Sequence, residues 1–333
     1  MEFTQLGPLT VPRLFVGLWQ LSSNAWGTAP VSRIRAEMKR HVDEGFIAFA
    51  DHYGSAELLF GEFRQDLPNP TSIIGATKWC VFRQTNPTRG VVEAAINERL
   101  VRMRSRSVDL LQFHWQDYSD IGYLVALGHL RDLQAQGIIK AIGLCNFDSI
   151  RTDEICTRLG AGAIVSNQVQ FSLIDTRPLH GMAHVCEKHG IKLLTYGTIC
   201  GGFLADEWLG KPEPEAYQGS MTPSQRKYLD MIIGAWGDWS LFQSLLSVLR
   251  CIGDRHGGVS ISNVATRWVL DHPFVGAVLI GTRLGLSAHT RDNRRAFSFR
   301  LTSEDGQEIE AVLIRSNSRR LITTIGDCGA EYR

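Results

Sequence analysis

Eight short apolar runs, each followed by a stretch with helical spacing, most constrain how this 333-residue chain can fold. Most of them lack an apolar/polar alternation, which is typical of strands buried on both faces of a parallel sheet. The runs are rich in Val, Ile, Leu and Phe and lie near Leu14–Leu18, Phe46–Phe49, Ser72–Ala76, Val108–Phe113, Ala141–Leu144, Ala163–Val169, Lys192–Tyr196 and Gly276–Ile280.

Amphipathic helices are predicted between the runs. In the first of them, Ile34, Met38 and Val42 are four residues apart and share one face. A strand followed by a helix, eight times over, predicts a (β/α)8 barrel rather than an open doubly wound sheet. No G-x-G-x-x-G follows the first strand, which counts against the Rossmann alternative. The same spacing occurs in residues 31–44, 90–103, 121–137 and 178–189.

We expect one domain over residues 1–333, in which three additions accompany the barrel. An N-terminal β-hairpin precedes it, and residues 205–250 form a long loop after strand seven. Connections of that length usually have a function or carry helices of their own. Thr302 and Asp305 form a T-x-x-D helix start, which predicts a C-terminal helix across Gln307–Ile314.

Composition excludes several classes of protein. A net charge of +1 with dispersed basic residues gives no electrostatic reason to expect a nucleic acid partner. The seven cysteines are scattered without a C-x-x-C pair, which fits a reducing compartment and argues against a disulfide framework or a metal site. No signal peptide is visible, and no apolar run approaches the roughly 18 residues of a membrane span. We therefore expect a cytoplasmic protein without a membrane partner.

Three reactive side chains stand just after successive apolar runs. They are Tyr53, Lys78 and His114. Active sites of such barrels form at the carboxyl ends of the strands, so these side chains are expected to meet. A phenol, an ammonium and an imidazole together suit the reduction of a carbonyl group by hydride.

Six segments, in order along nearly the whole chain, resemble those of the aldo-keto reductase superfamily. Cys145 stands where the family usually has serine, and Phe171 stands where tyrosine usually stacks on nicotinamide. The resemblance implies a barrel enzyme that reduces small aldehydes or ketones with NADP(H). The segments are ADHYGSAELLFGE, IIGATKW, DLLQFHW, IGLCNF, NQVQFSLID, and VLIGTR followed by HTRDN.

The resemblance also implies roles for the three reactive side chains. Tyr53 would be the general acid that protonates the carbonyl oxygen as hydride arrives. Free tyrosine titrates near pH ~10, and Lys78 beside it would favour the phenolate and make it a better proton donor. His114 would position the substrate oxygen and share its developing negative charge.

A cofactor-binding set follows from the same resemblance. Asn146 and Gln168 would bind the nicotinamide carboxamide, and Phe171 would stack on the ring. Arg283 and His289 would bind the adenosine 2′-phosphate, which favours NADP(H) over NAD(H). Glycines after strands seven and eight allow backbone to approach phosphates closely. The remaining predicted cofactor contacts are Asn293 for adenine and Trp19, Gln20, Gly197, Gly201 and Gly281.

Aromatic residues cluster on the loops at the strand ends and could wall a pocket for an apolar, aromatic substrate. The alternative is that they pack in the core or in a lid. The predicted substrate contacts are Trp26, Trp79, Trp115 and Tyr118.

The tyrosine segment departs from the family pattern. Relatives typically read G-F-x-x-F-D-x-A-D-x-Y-G, with the first aspartate bonded to the lysine, whereas this chain reads GFIAFADHYG, with Ala48 at that position. Asp51 could move inward to pair with Lys78 and serve catalysis, since strand positions two apart face the same way. Alternatively the carboxylate is lost and activity is low. A third interpretation is a barrel used for non-redox cyclisation or isomerisation, or for nucleotide binding with vestigial activity.

Overall fold

Eight parallel strands close into a barrel in the computed structural model, which describes residues 1–50, 52–216 and 221–333. An antiparallel hairpin of β1 (Phe3–Leu6) and β2 (Leu9–Pro12) precedes the barrel. Around the barrel each strand pairs with the next in chain order, and β10 pairs with β3. The barrel strands are β3 (Leu14–Gly17), β4 (Ala48–Ala50), β5 (Ile74–Val81), β6 (Val108–Trp115), β7 (Ile139–Cys145), β8 (Ser166–Gln170), β9 (Lys192–Tyr196) and β10 (Val275–Gly281).

The predicted barrel and its N-terminal hairpin are thus confirmed, but several strands run further than the apolar runs indicated. Strands β5 and β6 continue to Val81 and Trp115. Lys78 and His114 therefore lie within strands, not after them. A polar side chain that faces the barrel interior interrupts an apolar run without ending the hydrogen-bonded ladder, which is why the sequence pattern placed the strand ends too early.

Helices cover the outside of the barrel. Helix α11 begins as predicted, because Thr302 and Asp305 form a reciprocal capping box at its start. The helices are α1 (Val31–Asp43), α2 (Ala56–Gln65), α3 (Arg89–Arg102), α4 (Gly122–Ala135), α5 (Ser149–Leu159), α6 (Met182–His189), α7 (Pro223–Asp230), α8 (Trp239–Arg255), α9 (Ile261–Asp271), α10 (Thr290–Arg294), α11 (Ser303–Leu313) and α12 (Leu321–Ile325).

The long connection after β9 carries helices of its own. Helix α7 continues into a π-helical turn over Met231–Trp236, and α8 follows. Trp236 and Phe242 are fully buried in a core cluster that also contains Ile309 and Val312 of α11. This layer of helices therefore packs on one side of the barrel as an extension of its core.

Alternation along the strands decides which side chains reach the barrel axis. Ala48, Ala50, Ala76 and Leu110 belong to one interior cluster, together with Leu6 of the hairpin. Since side chains alternate in facing, the residues two and four positions after Ala76 and Leu110 also point inward. Small residues near the amino ends of these strands, and polar residues nearer the carboxyl ends, leave the carboxyl end of the barrel interior available for a site.

Two further observations concern the cysteines and the length of the helices. All seven cysteines are free thiols. No helix in residues 1–50, 52–216 or 221–333 is long and apolar enough to cross a membrane.

Candidate active site

Tyr53, Lys78 and His114 come together at the carboxyl end of the barrel. The Nζ atom of Lys78 lies 5.2 Å from the centre of the Tyr53 ring. Lys78 is 3% exposed and His114 is 2% exposed. Strand β5 pairs with β6 so that Lys78 lies opposite Gln112, two residues before His114. The ammonium and imidazole therefore face the same interior space from neighbouring strands.

The protonation of His114 follows from its hydrogen bond. Its Nδ1 lies 2.9 Å from the carbonyl oxygen of Cys145, so Nδ1 carries the proton and donates. Burial lowers the pKa of His114, and the positive charges of Arg333 and Lys78 act in the same direction. The neutral ring then presents an unprotonated Nε2, which is buried and has no hydrogen-bond partner among the described residues.

A second imidazole, His52, lies beside the tyrosine. The centres of the two rings are 4.2 Å apart. Burial, helped by the nearby charge of Lys78, lowers the pKa of His52 to about 3, so this ring is neutral. The sequence pattern gave no role to His52, which stands directly before Tyr53.

Asp51 lies outside the described residues, so its predicted pairing with Lys78 stays a prediction. The strand before it is described and has no acidic side chain. Both Ala48 and Ala50 are fully buried in the barrel interior. The departure from the family pattern at Ala48 therefore falls on a position that faces inward, below the reactive side chains.

Asn146 directly follows β7 and lies beside Gln168, the middle residue of β8. The backbone N–H of Asn146 donates to the carbonyl of Gln168 at 2.9 Å. Asn146 has φ 59°, a left-handed conformation that a non-glycine residue adopts only when its surroundings hold it. Its Oδ1 accepts a hydrogen bond from the Tyr196 hydroxyl at 3.0 Å.

The structure does not bring Phe171 to this group. Its ring is fully buried against Trp268, His272 and Phe274, with centroid distances of 5.4, 5.2 and 5.8 Å. Phe171 stands three positions after the inward-facing Gln168, so alternation turns its side chain outward. Tyr196, which ends β9, is the aromatic residue that hydrogen-bonds to the Asn146 side chain. Sequence reasoning missed it, although it is the last residue of a predicted strand.

The glycines at the carboxyl ends of β9 and β10 differ in what surrounds them. A side chain at Gly197 would collide with the Tyr228 hydroxyl, and one at Gly281 would collide with the Gln20 amide. At Gly201 (φ 63°) it would meet Tyr228 and the Ser224 backbone at 3.0 Å. These three positions are thus small because protein atoms fill the space. By contrast, Gly202 (φ 99°) has no atom within 4 Å of where a side chain would begin.

Arg283 and His289 are exposed and flank the loop after β10. Neither side chain forms an ion pair with any residue that the structure describes. Asn293 follows in α10, and its backbone N–H donates to the carbonyl of His289 at 2.8 Å. A pair of accessible nitrogen-bearing side chains beside an asparagine is compatible with the predicted contacts to an adenosine phosphate.

The predicted aromatic wall divides into two groups. Trp19 and Trp26 contact each other at 4.8 Å between ring centres, and Trp19 lies 6.5 Å from the Tyr53 ring. Trp19 therefore borders the site, whereas Trp26 is buried against it and donates from Nε1 to Ser224 Oγ at 3.2 Å. Trp79 and Trp115 instead belong to the large core cluster between the barrel and its helices, so their predicted substrate contact is not supported. Each directly follows an inward-facing residue and therefore points outward.

Two other aromatic residues border the site. Tyr118 stacks on Phe147 at 5.6 Å and receives the Arg333 guanidinium 3.9 Å above its ring. Burial raises the pKa of Tyr118 well above its usual value. Phe82, which was not predicted, is 57% exposed and lies 5.4 Å from the His114 ring. An exposed phenyl ring beside a buried imidazole is a candidate substrate contact.

The last part of the described chain also reaches the site. The Tyr332 ring lies 6.2 Å from the His114 ring. Its hydroxyl oxygen is 3.2 Å from that of Tyr196. This segment has no apolar periodicity, so nothing in its sequence indicated where it would fold. Within the described ranges, no group of His, Cys, Asp and Glu side chains is arranged to hold a metal ion.

Comparison with known proteins gives a consistent result. Residues 13–314 match the model of a family described as the Aldo/keto reductase family. The chain is 23% identical to the Aldo-keto reductase YhdN of Bacillus subtilis, over 94% of each protein. It is 21% identical to the NADH-specific methylglyoxal reductase of Escherichia coli, over 89% of this chain and 93% of that one.

A solved structure supports the fold. The glycerol dehydrogenase AKR11B4 from Gluconobacter oxydans superposes with a TM-score of 0.75 at 22% identity. The match covers 94% of this chain and 95% of that one.

Proposed function

Because the chain belongs to the aldo/keto reductase family, we propose that it is an NADP(H)-dependent reductase of small aldehydes or ketones. One observation carries the proposal: the Lys78 ammonium lies 5.2 Å from the Tyr53 ring and faces the same interior space as the buried His114 on the neighbouring strand. These three groups are what proton delivery to a carbonyl oxygen needs.

Tyr53 is the proposed proton donor. An ammonium beside a phenol favours the phenolate, so Lys78 makes transfer of the phenolic proton easier. His52 lies against the same ring and is neutral, so it adds no positive charge of its own. Asp51 is the carboxylate that we propose to support Lys78. Its replacement in Asp51→Asn tests that role.

His114 is the proposed orienting group for the oxygen. Its Nδ1–H donates to the carbonyl oxygen of Cys145. The neutral ring can therefore accept a hydrogen bond at Nε2 but cannot donate one there. In this form His114 aligns the hydroxyl of the alcohol product. The role that the resemblance implies for His114, sharing the negative charge that develops on the substrate oxygen, requires the protonated ring.

The residues present fit a nicotinamide dinucleotide. The buried Nε2 of His114 and Oε1 of Gln20 have no partner among the described residues, and the backbone at Gly202 is open. Asn146 and Gln168 are the proposed contacts to the carboxamide, and Tyr196 replaces Phe171 as the proposed aromatic face. When bound, the reduced nicotinamide supplies the hydride.

We propose NADP(H) rather than NAD(H) because Arg283 and His289 are exposed and form no ion pair with the described part of the chain. An unengaged guanidinium can bind the adenosine 2′-phosphate through paired hydrogen bonds. The Escherichia coli relative is named for NADH, so family membership alone does not decide this preference.

The substrate is proposed to be a fairly apolar carbonyl compound. Trp19, which packs on Trp26, provides an aromatic surface near Tyr53, and Phe82 provides one near His114. Because all seven cysteines are free thiols, we further propose that the protein works in the reducing environment of the cytoplasm.

A second candidate is a nucleotide-binding or non-redox protein with vestigial reductase activity. The observation that favours it is the buried pair Ala48 and Ala50, where β4 contributes no carboxylate to the barrel interior. Loss of one supporting group costs a catalytic unit on the order of 10²–10⁴-fold.

Two measurements on the purified protein separate these candidates. The first is quenching of tryptophan fluorescence by NADPH, and the second is loss of reduced-nicotinamide absorbance with a panel of aromatic aldehydes and ketones. Binding with turnover supports the reductase, and binding without turnover on any carbonyl supports the second candidate. Absence of NADPH binding contradicts the reductase and the nucleotide-binding protein, and it leaves the non-redox enzyme.

A further inference from the structure

Residues 326–333, here named the closing segment, lie beyond residue 314, where the match to the family model ends. The segment is held by the buried guanidinium of Arg177 and by a hydrogen bond to Ser149. Arg177 is 1% exposed and bonds to Asp175 at 2.7 Å and to Glu331 at 2.9 Å. Asp327 accepts a hydrogen bond from the backbone N–H of Ser149 at 2.8 Å. The segment is therefore fixed to the strand-end loops at two points.

The closing segment packs directly on the backbone of Asn146. Gly329 has φ 76°, and a side chain there would collide with the Asn146 carbonyl oxygen. The Arg333 guanidinium donates to the same oxygen. Asn146 is in a left-handed conformation at φ 59°, which persists only where neighbouring groups hold it. Gly329 and Arg333 are two of those neighbours.

A chain of hydrogen bonds reaches the side chain of Asn146 from the same segment. Lys227 donates to the Tyr332 hydroxyl at 3.0 Å, and Tyr332 and Tyr196 are 3.2 Å apart at their oxygens. Asn146 Oδ1 can only accept, so the single hydroxyl proton of Tyr196 goes to it. The Tyr196 hydroxyl therefore links the Tyr332 hydroxyl to the Asn146 side chain.

We propose that Tyr332 and Arg333 are positioning residues for the nicotinamide end of the cofactor site, acting through Tyr196 and Asn146. Arg333 fixes the strained backbone of Asn146, and Tyr332 fixes the Tyr196 ring and, through it, the Asn146 amide. The closing segment forms no hydrogen bond with Asn146 Nδ2 in the described structure, so that donor stays available. This inference rests on the proposed NADP(H) function.

The opposite interpretation is that the closing segment blocks the site. Tyr332 lies near His114, and Tyr196 already occupies Asn146 Oδ1. The two interpretations predict opposite changes in the affinity for NADPH. If the segment positions the site, loosening it weakens the binding of nicotinamide; if the segment blocks the site, loosening it strengthens that binding.

The test compares NADPH with 2′-phosphoadenosine diphosphoribose, which is the same molecule without nicotinamide. Dissociation constants for both are measured by calorimetry on the full chain and on Tyr332→Phe and Arg333→Ala. Each variant removes one hydrogen-bonding group, so NADPH affinity is expected to fall roughly tenfold while affinity for the fragment is unchanged. Arg333→Lys, which keeps a donor, is expected to recover part of the loss.

Arg320→Ala is the matched control, because Arg320 is an exposed arginine in the same part of the chain and its side chain forms no ion pair with the described residues. Unchanged NADPH affinity in both variants, or tighter binding, overturns the proposal. A misfolded variant would also lose affinity for 2′-phosphoadenosine diphosphoribose, whereas a variant in which only the nicotinamide end is mispositioned would keep it. If the unaltered protein binds NADPH no better than the fragment, the nicotinamide site itself is wrong and both proposals fall.

Discussion

His114 and Cys145 are joined by a hydrogen bond in which the ring Nδ1 lies 2.9 Å from the backbone carbonyl oxygen. This contact decides what the imidazole can do. It leaves Nε2 without a proton while the ring is neutral, and burial keeps the ring neutral by lowering the pKa of His114. The site thus has an acceptor where a carbonyl substrate would benefit from a donor.

The rate of carbonyl reduction should therefore rise as the pH falls below 6.5, the ordinary pKa of histidine. Because the pKa of His114 is lowered, its protonated form, which can donate from Nε2, accumulates only on the acid side of that value. In His114→Gln the amide offers a donor at every pH, so this part of the pH dependence should disappear. The measurement is kcat against pH for both proteins, and identical profiles would contradict the assignment.

Arg283 and His289 should determine the choice between NADPH and NADH. Arg283→Ala is expected to weaken NADPH binding roughly tenfold, since it removes a charge-assisted contact to the 2′-phosphate, and to leave NADH unaffected. His289→Ala should act in the same direction with a smaller effect. Fluorescence titration with both dinucleotides checks this. Equal losses for the two would mean that Arg283 does not contact the phosphate.

Phe82 and Trp115 should behave in opposite ways when each is replaced by alanine. Trp115 is 2% exposed in the core, so Trp115→Ala is expected to lower the free energy of unfolding by roughly 3–5 kcal/mol. Phe82 is 57% exposed, so Phe82→Ala should leave stability nearly unchanged and raise KM for aromatic substrates. Chemical denaturation and steady-state kinetics test the pair. A stable Trp115→Ala protein with a raised KM would restore the substrate contact that the structure does not support.

His272 should make the fold sensitive to acid. Its ring packs against Phe171 and Phe274, its Nε2 is buried with no described partner, and burial lowers its pKa from 6.5 to about 4. The unfolded chain therefore binds a proton that the folded chain does not, and stability is lost as the pH falls from 6.5 towards 4. Near pH 4 the loss is on the order of 1–3 kcal/mol.

Replacing this residue provides the check. His272→Phe removes the titrating group and an unpaired polar atom, so the free energy of unfolding should rise by about 1 kcal/mol at neutral pH. It should also vary less with pH below 6.5 than in the unaltered protein. Urea denaturation at several pH values measures both effects, and an unchanged slope would assign the acid sensitivity to other groups.

The barrel could be predicted because strands buried on both faces leave continuous apolar runs that alternate with helical spacing. The ends of the strands could not be predicted, because the polar residues Lys78 and His114 lie inside strands and interrupt the apolar runs. Alternation, applied more strictly, would have corrected two errors. Lys78 and Trp79 are adjacent in one strand and cannot both face the interior, and Phe171 cannot face the same way as Gln168.

Other parts of the site depend on tertiary contacts that no local pattern records. Tyr332 and Arg333 reach Tyr196 and Asn146 because Arg177 and Ser149, which are far from the closing segment in the sequence, hold that segment in place. The left-handed conformation of Asn146 is similarly held by packing around its own backbone. Such contacts are set by the folded chain as a whole, and composition or spacing does not reveal them.

Oxidation of NADPH by a panel of aldehydes, measured side by side for the unaltered protein and for Tyr53→Phe, shows whether Tyr53 delivers the proton. The unaltered protein is expected to turn over at least one aromatic aldehyde. In Tyr53→Phe, which keeps the ring beside Lys78 but removes the proton, turnover should fall by roughly 10²–10⁴-fold while NADPH still binds. Equal turnover by the two proteins would contradict the assignment of Tyr53 as the proton donor.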